Sequence, residues 1–220
     1  IDHALDRLAP HCETLAVNVH TSQRDLHRHL ALHTLAPHRS VESGAAMGTA
    51  GALAAMADHI DGRPAVVVNG DTWCPGGVDR LVDGWSGETI RILVPDADPF
   101  GPRSRVAGAL MPWDDIARLV AVPSGLWEVS WRQALADGRI ETVHHDGIIV
   151  DCADAADYLV ANVLAAGGSS IADGATVEGS VVESVVWPGA TVRADEHLIR
   201  AIRTRRRTVL IRRRLPELGD

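Results

Sequence analysis

Two aspartates stand at the ends of apolar, β-branched runs. Asp71 follows Val66, Val67, Val68, Asn69 and Gly70, and Asp151 closes the run Gly147, Ile148, Ile149, Val150. A run of three valines fits only a central, buried strand, and the residue at its end is delivered to the carboxyl edge of the sheet, where open α/β sheets bind their ligands. Two such carboxylates brought together by a fold make a hard-oxygen site suited to Mg²⁺. For Asp71 taken alone the alternative is a turn or helix-cap role, the ordinary chemistry of an Asn-Gly-Asp sequence.

Other residues carry weaker signals. The segment Gly44 to Gly51, GAAMGTAG, sets glycines between a strand pattern and a helix pattern, where backbone N–H groups can approach an anion or a nucleotide. It matches neither GxGxxG nor the GxxxxGK[ST] loop, and close packing explains its glycines equally well. His29 and His33 are spaced i, i+4 on one predicted helix, with His27 and His38 nearby. That spacing can bind zinc, but with no third ligand in the pattern and no general-base Glu of the HExxH type a solvated helix face is the better reading. His144-His145 falls at a strand end before a turn. Trp113, Trp127, Trp131 and Trp187 enter or follow predicted elements and are expected in the core.

Charge narrows the chemistry. The 220 residues carry 29 acidic and 21 basic side chains, a net charge of -8, and every basic residue is Arg. A chain without Lys forms no lysine Schiff base and meets phosphates only through Arg, backbone or metal. The negative balance opposes general binding to a phosphate backbone, so nucleic acid is not an expected partner. Eight of the arginines lie in the last 21 residues against only Glu217 and Asp220, so that stretch is +6 and the preceding 199 residues are -14. The tail RAIRTRRRTVLIRRR could mark an anionic surface, but TVLI is strand-like, and two Arg blocks flanking a terminal strand and pairing with the acidic body is the favoured reading.

Cys12, Cys74 and Cys152 are odd in number, far apart and without a CxxC pair, which fits neither a disulfide framework nor a cysteine zinc site and suits the reducing cytoplasm. No apolar run reaches the roughly 18 residues of a membrane helix, and no secretory signal opens the chain. It begins on Ile1 and goes directly into helical spacing at Ile1, Leu5 and Leu8, so an N-terminal piece is expected to be missing.

The elements that must position these residues alternate. A strand over 13–19, a polar helix opened by Thr21 or Ser22, a strand over 39–42, a helix over 48–60 and a strand over 65–68 predict a Rossmann-like α/β fold, a mostly parallel sheet with helices on both faces. Strands follow near 89–94 and 105–111, helices near 113–119 and 129–135, and a hairpin of 139–144 with 147–150 turning at Asp146-Gly147. An Ala-rich helix over 153–165 ends at Gly167 and Gly168. Beyond it Ile171 and Val177 stand six apart among small residues, the texture of left-handed β-helix rungs, here a short C-terminal stub.

In order, Val17 to Val19, GTAG (Gly48 to Gly51), VVVNGD (Val66 to Asp71), SGLWEVSWRQAL and VDCADAADYLVAN (Val150 to Asn162) resemble the sugar-1-phosphate nucleotidyltransferases, and among them the mannose-1-phosphate guanylyltransferases, over about residues 1–195. The resemblance implies an enzyme that condenses a sugar 1-phosphate with a nucleoside triphosphate, giving a nucleotide sugar and pyrophosphate. It puts Gly48 and Thr49 against the base and ribose, Asn69 and Gly108 on the substrate side, and Asp71 and Asp151 on Mg²⁺. It is compatible with a homo-oligomer, and a non-catalytic nucleotide-sugar binding homologue is the alternative. The expected layout is a nucleotidyltransferase-like domain over 1–168 lacking its first strand and phosphate loop, hexapeptide-like rungs over 169–195 and an Arg-rich segment over 196–220. Three departures stand out. The loop of the type GxGTRLxPLT and the PKP that precede a segment like IDHALDRL in this family are not in the chain, no EKP-like sugar segment lies between Leu93 and Gly108, and the GTP of the second motif is Ala153-Asp154-Ala155.

Overall fold

The computed structural model describes residues 1–95 and 99–212, and the chain divides into two units. The first comprises 1–70 and 74–149, the second 71–73 and 150 onward. Arg213 and Arg214 of the Arg-rich tail lie outside the described residues.

In the first unit α1 (Asp2–Leu8) leads to β1 (Ala16–His20), α2 (Arg24–Leu32) and β2 (His38–Glu42). β1 and β2 pair in parallel from Ala16 opposite His38 to His20 opposite Glu42. Leu5, Val19 and Leu30 bury themselves between α1, β1 and α2, with Ile1, Leu15, Val17 and Leu26 packed around them. α2 begins after Gln23 without the side-chain cap expected from Thr21 or Ser22. Next come α3 (Gly48–Ala55), α4 (Ala57–Ile60) and β3 (Ala65–Val67), so the helix expected over 48–60 breaks at Met56, whose N–H is shared between the carbonyls of Ala52 and Leu53.

β4 (Thr72–Trp73) belongs to the second unit. The first resumes with α5 (Gly77–Val82), β5 (Ile90–Val94), β6 (Gly108–Met111), α6 (Trp113–Ile116), a π-helical turn at Trp127–Trp131 running into α7 (Arg132–Ala136), and β7 (Ile140–His144). These strands form a sheet in the order β3, β6, β5, β7, in which β6 is antiparallel to both neighbours and β5 is parallel to β7. Every residue of β5 and β6 is buried. Ile90, Ile92, Ala109 and Met111 meet Ile116, Trp131 and Ala134 in the principal core, where Trp113 and Trp127 also pack. Arg91, itself buried in β5, is held by Glu141 at 3.0 Å and by the carbonyls of Leu81, Asp83 and Gly84, which satisfies the charge in place.

The hairpin expected at Asp146-Gly147 does not form. β7 pairs in parallel with β5, and β8 (Val150–Asp151) pairs antiparallel with β4 instead. The second unit continues with α8 (Ala155–Ala166), capped by the Asp154 carboxylate, which accepts from the N–H groups of Ala156 and Asp157, and closed by Gly167 at φ +64°. Leu159 and Val163 of α8 bury themselves with Val185 and Ile202, so the helix is core to this unit and the division falls at Val150, ahead of the expected boundary at 168.

Seven short strands follow: β9 (Ser170–Ile171), β10 (Thr176–Val177), β11 (Ser180–Val182), β12 (Val185–Val186), β13 (Thr191–Val192), β14 (His197–Ile199) and β15 (Ala201–Arg203). They stack in parallel with Val185 opposite both Ser170 and Ile202, Thr176 opposite Thr191, and Ser180 opposite His197. β16 (Thr208–Leu210) closes the stack antiparallel to β15. Val186, Ala190, Val192, Leu198 and Ala201 fill its interior. Trp187, expected in the core, is exposed, edge-on to Tyr158. In the tail, Arg203 bonds to Glu196 and Arg205 to the carbonyl of Pro188, so both are tied into the stack.

Candidate functional site

In the second unit the pairing of β4 with β8 sets the main chains at the two strand-end acids side by side. Thr72 lies opposite Asp151 and Trp73 opposite Val150, and the N–H of Cys152 donates to the carbonyl of Asp71 at 3.0 Å. Trp73, Val150, Val160 and Leu164 pack beneath, fixing both strands on α8. Asp71 and Asp151 are exposed. Burial pushes the Cys152 thiol above its ordinary value, and the carboxylates of Asp71, Asp151 and Asp157 push it further. Three acids thus act on one sulfur, a locally negative, oxygen-rich surface. Exposed carboxylates are the ligand type that Mg²⁺ takes, one or two at a time with much of its water kept. The altered second motif still starts a helix, since Asp154 supplies the cap.

In the first unit the GTAG segment opens α3. Gly48 sits at φ +65°, and a Cβ there would lie 2.5 Å from the carbonyl oxygen of Ser124; at Gly51 it would lie 2.3 Å from that of Val122. The N–H of Ala50 donates to Ser124 O at 3.1 Å and that of Ser124 to Met47 O at 2.9 Å. GTAG and SGLWEVSW are therefore joined backbone to backbone, and close packing is the role both glycines demonstrably fill. The start of α3 also holds an internal anion. Glu42, buried at the end of β2, accepts from the Met47 N–H at 3.3 Å and from Asn18 Nδ2 at 3.2 Å. A carboxylate is favoured at a helix N-terminus, and here the chain supplies its own. Thr49 is exposed beside it. Neither Glu42 nor Asn18 stood out in the sequence, where one acid after a short strand has no partner at a telling spacing.

Asn69 is exposed after β3, whereas Gly108 is buried in β6, where a Cβ would meet Leu81 and Val68 side chains at 2.9 and 3.2 Å. Gly108 is thus a packing glycine. The histidine pair acquires the third group that its spacing lacked: Asp2 Oδ1 lies 2.5 Å from His29 Nε2 and 3.6 Å from His33 Nε2. Asp2 and His29 form a hydrogen bond, and the Leu35 N–H donates to His33 Nδ1.

No protein-family model matches the chain, and no curated protein matches it in sequence. Solved structures do. A Bacillus anthracis protein assigned as a glucose-1-phosphate thymidylyltransferase, in complex with sucrose, superposes with a TM-score of 0.59 at 17% identity, over 75% of this chain and 81% of that one. HddC from Yersinia pseudotuberculosis superposes with a TM-score of 0.57 at 12% identity, over 72% of this chain and 82% of that one. The chain shares their fold. It is an α/β fold, and among the described residues no helix is long and apolar enough to cross a membrane.

Proposed function

We propose that this protein is a sugar-1-phosphate nucleotidyltransferase. The observation that carries the reading is the pairing of β4 with β8, which sets Asp71 and Asp151 on neighbouring strands of one unit although 80 residues separate them in sequence. The reaction is in-line attack of a sugar-1-phosphate oxygen on the α-phosphorus of a nucleoside triphosphate, with pyrophosphate leaving. It depends on positioning and charge neutralisation rather than on a side-chain nucleophile. Asp71 and Asp151 would hold Mg²⁺, which when bound offsets the repulsion between the two phosphate groups. Gly48 and Thr49 present the start of α3 to the base and ribose, and the Glu42 carboxylate at that helix start directs the triphosphate elsewhere. Asn69 serves the substrate side. GTAG favours guanine and mannose 1-phosphate over the thymidylyl and uridylyl pairings, and the free cysteines suit a cytoplasmic enzyme.

The test is pyrophosphate release with GTP and mannose 1-phosphate at saturating Mg²⁺, run beside dTTP with glucose 1-phosphate. Release that requires both substrates and stops on chelation supports the enzyme. Calorimetric binding of nucleotide sugar without release under any pairing supports the non-catalytic homologue, to which the altered Ala153-Asp154-Ala155 motif lends weight.

A further inference from the structure

Asp2 opens α1, while His29 lies in the last turn of α2 and His33 is the residue just past it. Positions i and i+4 share one helix face. α1 is held beside α2 because Leu5 of the first and Leu30 of the second bury themselves in one cluster with Val19. Asp2 Oδ1, His29 Nε2 and His33 Nε2 all lie within 4.8 Å of one another, and among the described residues no other three His, Cys, Asp or Glu donors do. The two rings stand at 70° with centroids 5.7 Å apart, so they converge on the carboxylate instead of stacking. The His33 side chain is 11% exposed, against 46% for His29 and 53% for Asp2. The cluster therefore has a fixed floor and an open mouth.

This geometry is close to what a tetrahedral ion needs. Donors bound to zinc at about 2.0–2.2 Å stand about 3.3 Å from one another. Asp2 Oδ1 and His33 Nε2 are 3.6 Å apart. Asp2 Oδ1 and His29 Nε2, at 2.5 Å, need only separate by about 0.8 Å, and both side chains have the solvent to do so. Their hydrogen bond already holds a proton between carboxylate and imidazole, and a cation takes that place as the proton leaves to water. On the other ring, Nδ1 of His33 accepts from the Leu35 N–H at 3.3 Å. A metal on Nε2 leaves the proton of a neutral imidazole on Nδ1, so this long bond is given up. The Leu35 amide thereby reports on the site.

We propose that Asp2, His29 and His33 form a Zn²⁺ site, with water in the fourth position, that staples the start of α1 to the end of α2. Two imidazoles and one carboxylate are a donor set for zinc and not for Mg²⁺ or Ca²⁺, which take oxygen. Three protein ligands with one position left to water is the open form of zinc coordination. The site belongs to the first unit and shares no residue with Asp71 or Asp151, which belong to the second and offer oxygen alone.

The proposal is tested by calorimetric titration of the metal-free chain with Zn²⁺ in the presence of excess Mg²⁺. One Zn²⁺ per chain should bind in the micromolar range or tighter. Loss of an outer-shell group alone costs about 10–100-fold in metal affinity, so His29→Ala and Asp2→Ala, which remove exposed ligands, should each weaken binding by at least about tenfold. His197→Ala and Asp71→Asn should leave it unchanged. In the parent, zinc should shift the resonances of the Leu35 amide and of the His33 ring nitrogens and raise the melting temperature; in His29→Ala it should do neither. Equal affinity in parent and His29→Ala, or several weak sites with the Leu35 amide unmoved, overturns the proposal, since scattered surface histidines then take the ion. Displacement of Zn²⁺ by Mg²⁺, or its loss in Asp71→Asn, overturns it as well, because the ion is then held by oxygen. None of these readouts depends on nucleotide turnover, so the outcome is separate from that of the activity assay.

Discussion

The backbone N–H of Cys152 donates to the carbonyl oxygen of Asp71 at 3.0 Å, extending the register in which Thr72 faces Asp151. This alignment makes neighbours of two acids that the chain separates by 80 positions. Because both are exposed and, among the described residues, no hydrogen bond ties either carboxylate into the core, replacing them should test chemistry rather than folding. Asp71→Asn and Asp151→Asn are each expected to lower turnover by about 10²–10³-fold, the usual cost of removing one group that stabilises transition-state charge. Melting temperature should stay within a few degrees of the parent, and Mn²⁺ affinity measured by paramagnetic relaxation should fall in both. Full turnover in either variant would remove that aspartate from the site.

Gly51 answers a different question. Its missing Cβ would stand 2.3 Å from a backbone carbonyl oxygen, and a backbone atom cannot swing aside as a side-chain tip can. Gly51→Ala should therefore destabilise the first unit by about 1–3 kcal/mol, the range for forcing an extra carbon into a packed site. Gly48→Ala adds the strain of its positive φ to a 2.5 Å approach and should cost at least as much. Urea unfolding gives both values; a neutral Gly51→Ala would mean that the segment around Val122 yields easily.

What could be read beforehand follows the range of the interaction. The strands near 16–20, 38–42, 90–94 and 108–111 announce themselves through local apolar runs, and the α8 terminus through Gly167. Partners are another matter. Asp146-Gly147 is a sound turn signal, yet β7 finds β5 and β8 finds β4, because pairing is settled by distant edges that a local pattern does not encode. The aspartates were legible since each ends an apolar run. Glu42 was not, because its two partners are a backbone N–H and an Asn 24 positions away. The glycines of GTAG were recognised by their motif while their packing partner stayed hidden, since it consists of the main-chain atoms of 122–124, which have no sequence signature.

Glu42 yields its own prediction. Its carboxylate satisfies Asn18 and the Met47 N–H at a buried position. Glu42→Ala strands both groups and should cost about 1–3 kcal/mol, the penalty for a buried polar group left unpaired. Glu42→Gln keeps one acceptor oxygen and should recover most of that loss. If nucleotide affinity falls in Glu42→Ala but returns in Glu42→Gln, the residue acts by positioning the start of α3; a loss equal in both would show that the charge itself is needed.

Acid sensitivity should trace to two histidines held neutral. Burial lowers the pKa of His145, with the Arg80 charge acting in the same direction and Asp146 opposing, and neither ring nitrogen has a hydrogen-bond partner among the described residues. Burial likewise lowers that of His59, which stacks on His38 at 4.3 Å between ring centroids and also feels the Arg63 charge. For both, the unfolded chain takes up a proton near the ordinary value of 6.5 while the folded chain still refuses it. The unfolded state therefore binds more protons as pH falls below 6.5, and stability declines over that range until the folded-state pKa is passed, where the slope ends. Melting temperatures measured from pH 7.5 down to pH 5 should fall accordingly, and His145→Asn, which cannot titrate, should flatten part of the slope. An unaltered slope in that variant would move the effect to His59, and a flat profile in the parent would mean that both rings gain a proton without cost in the folded protein.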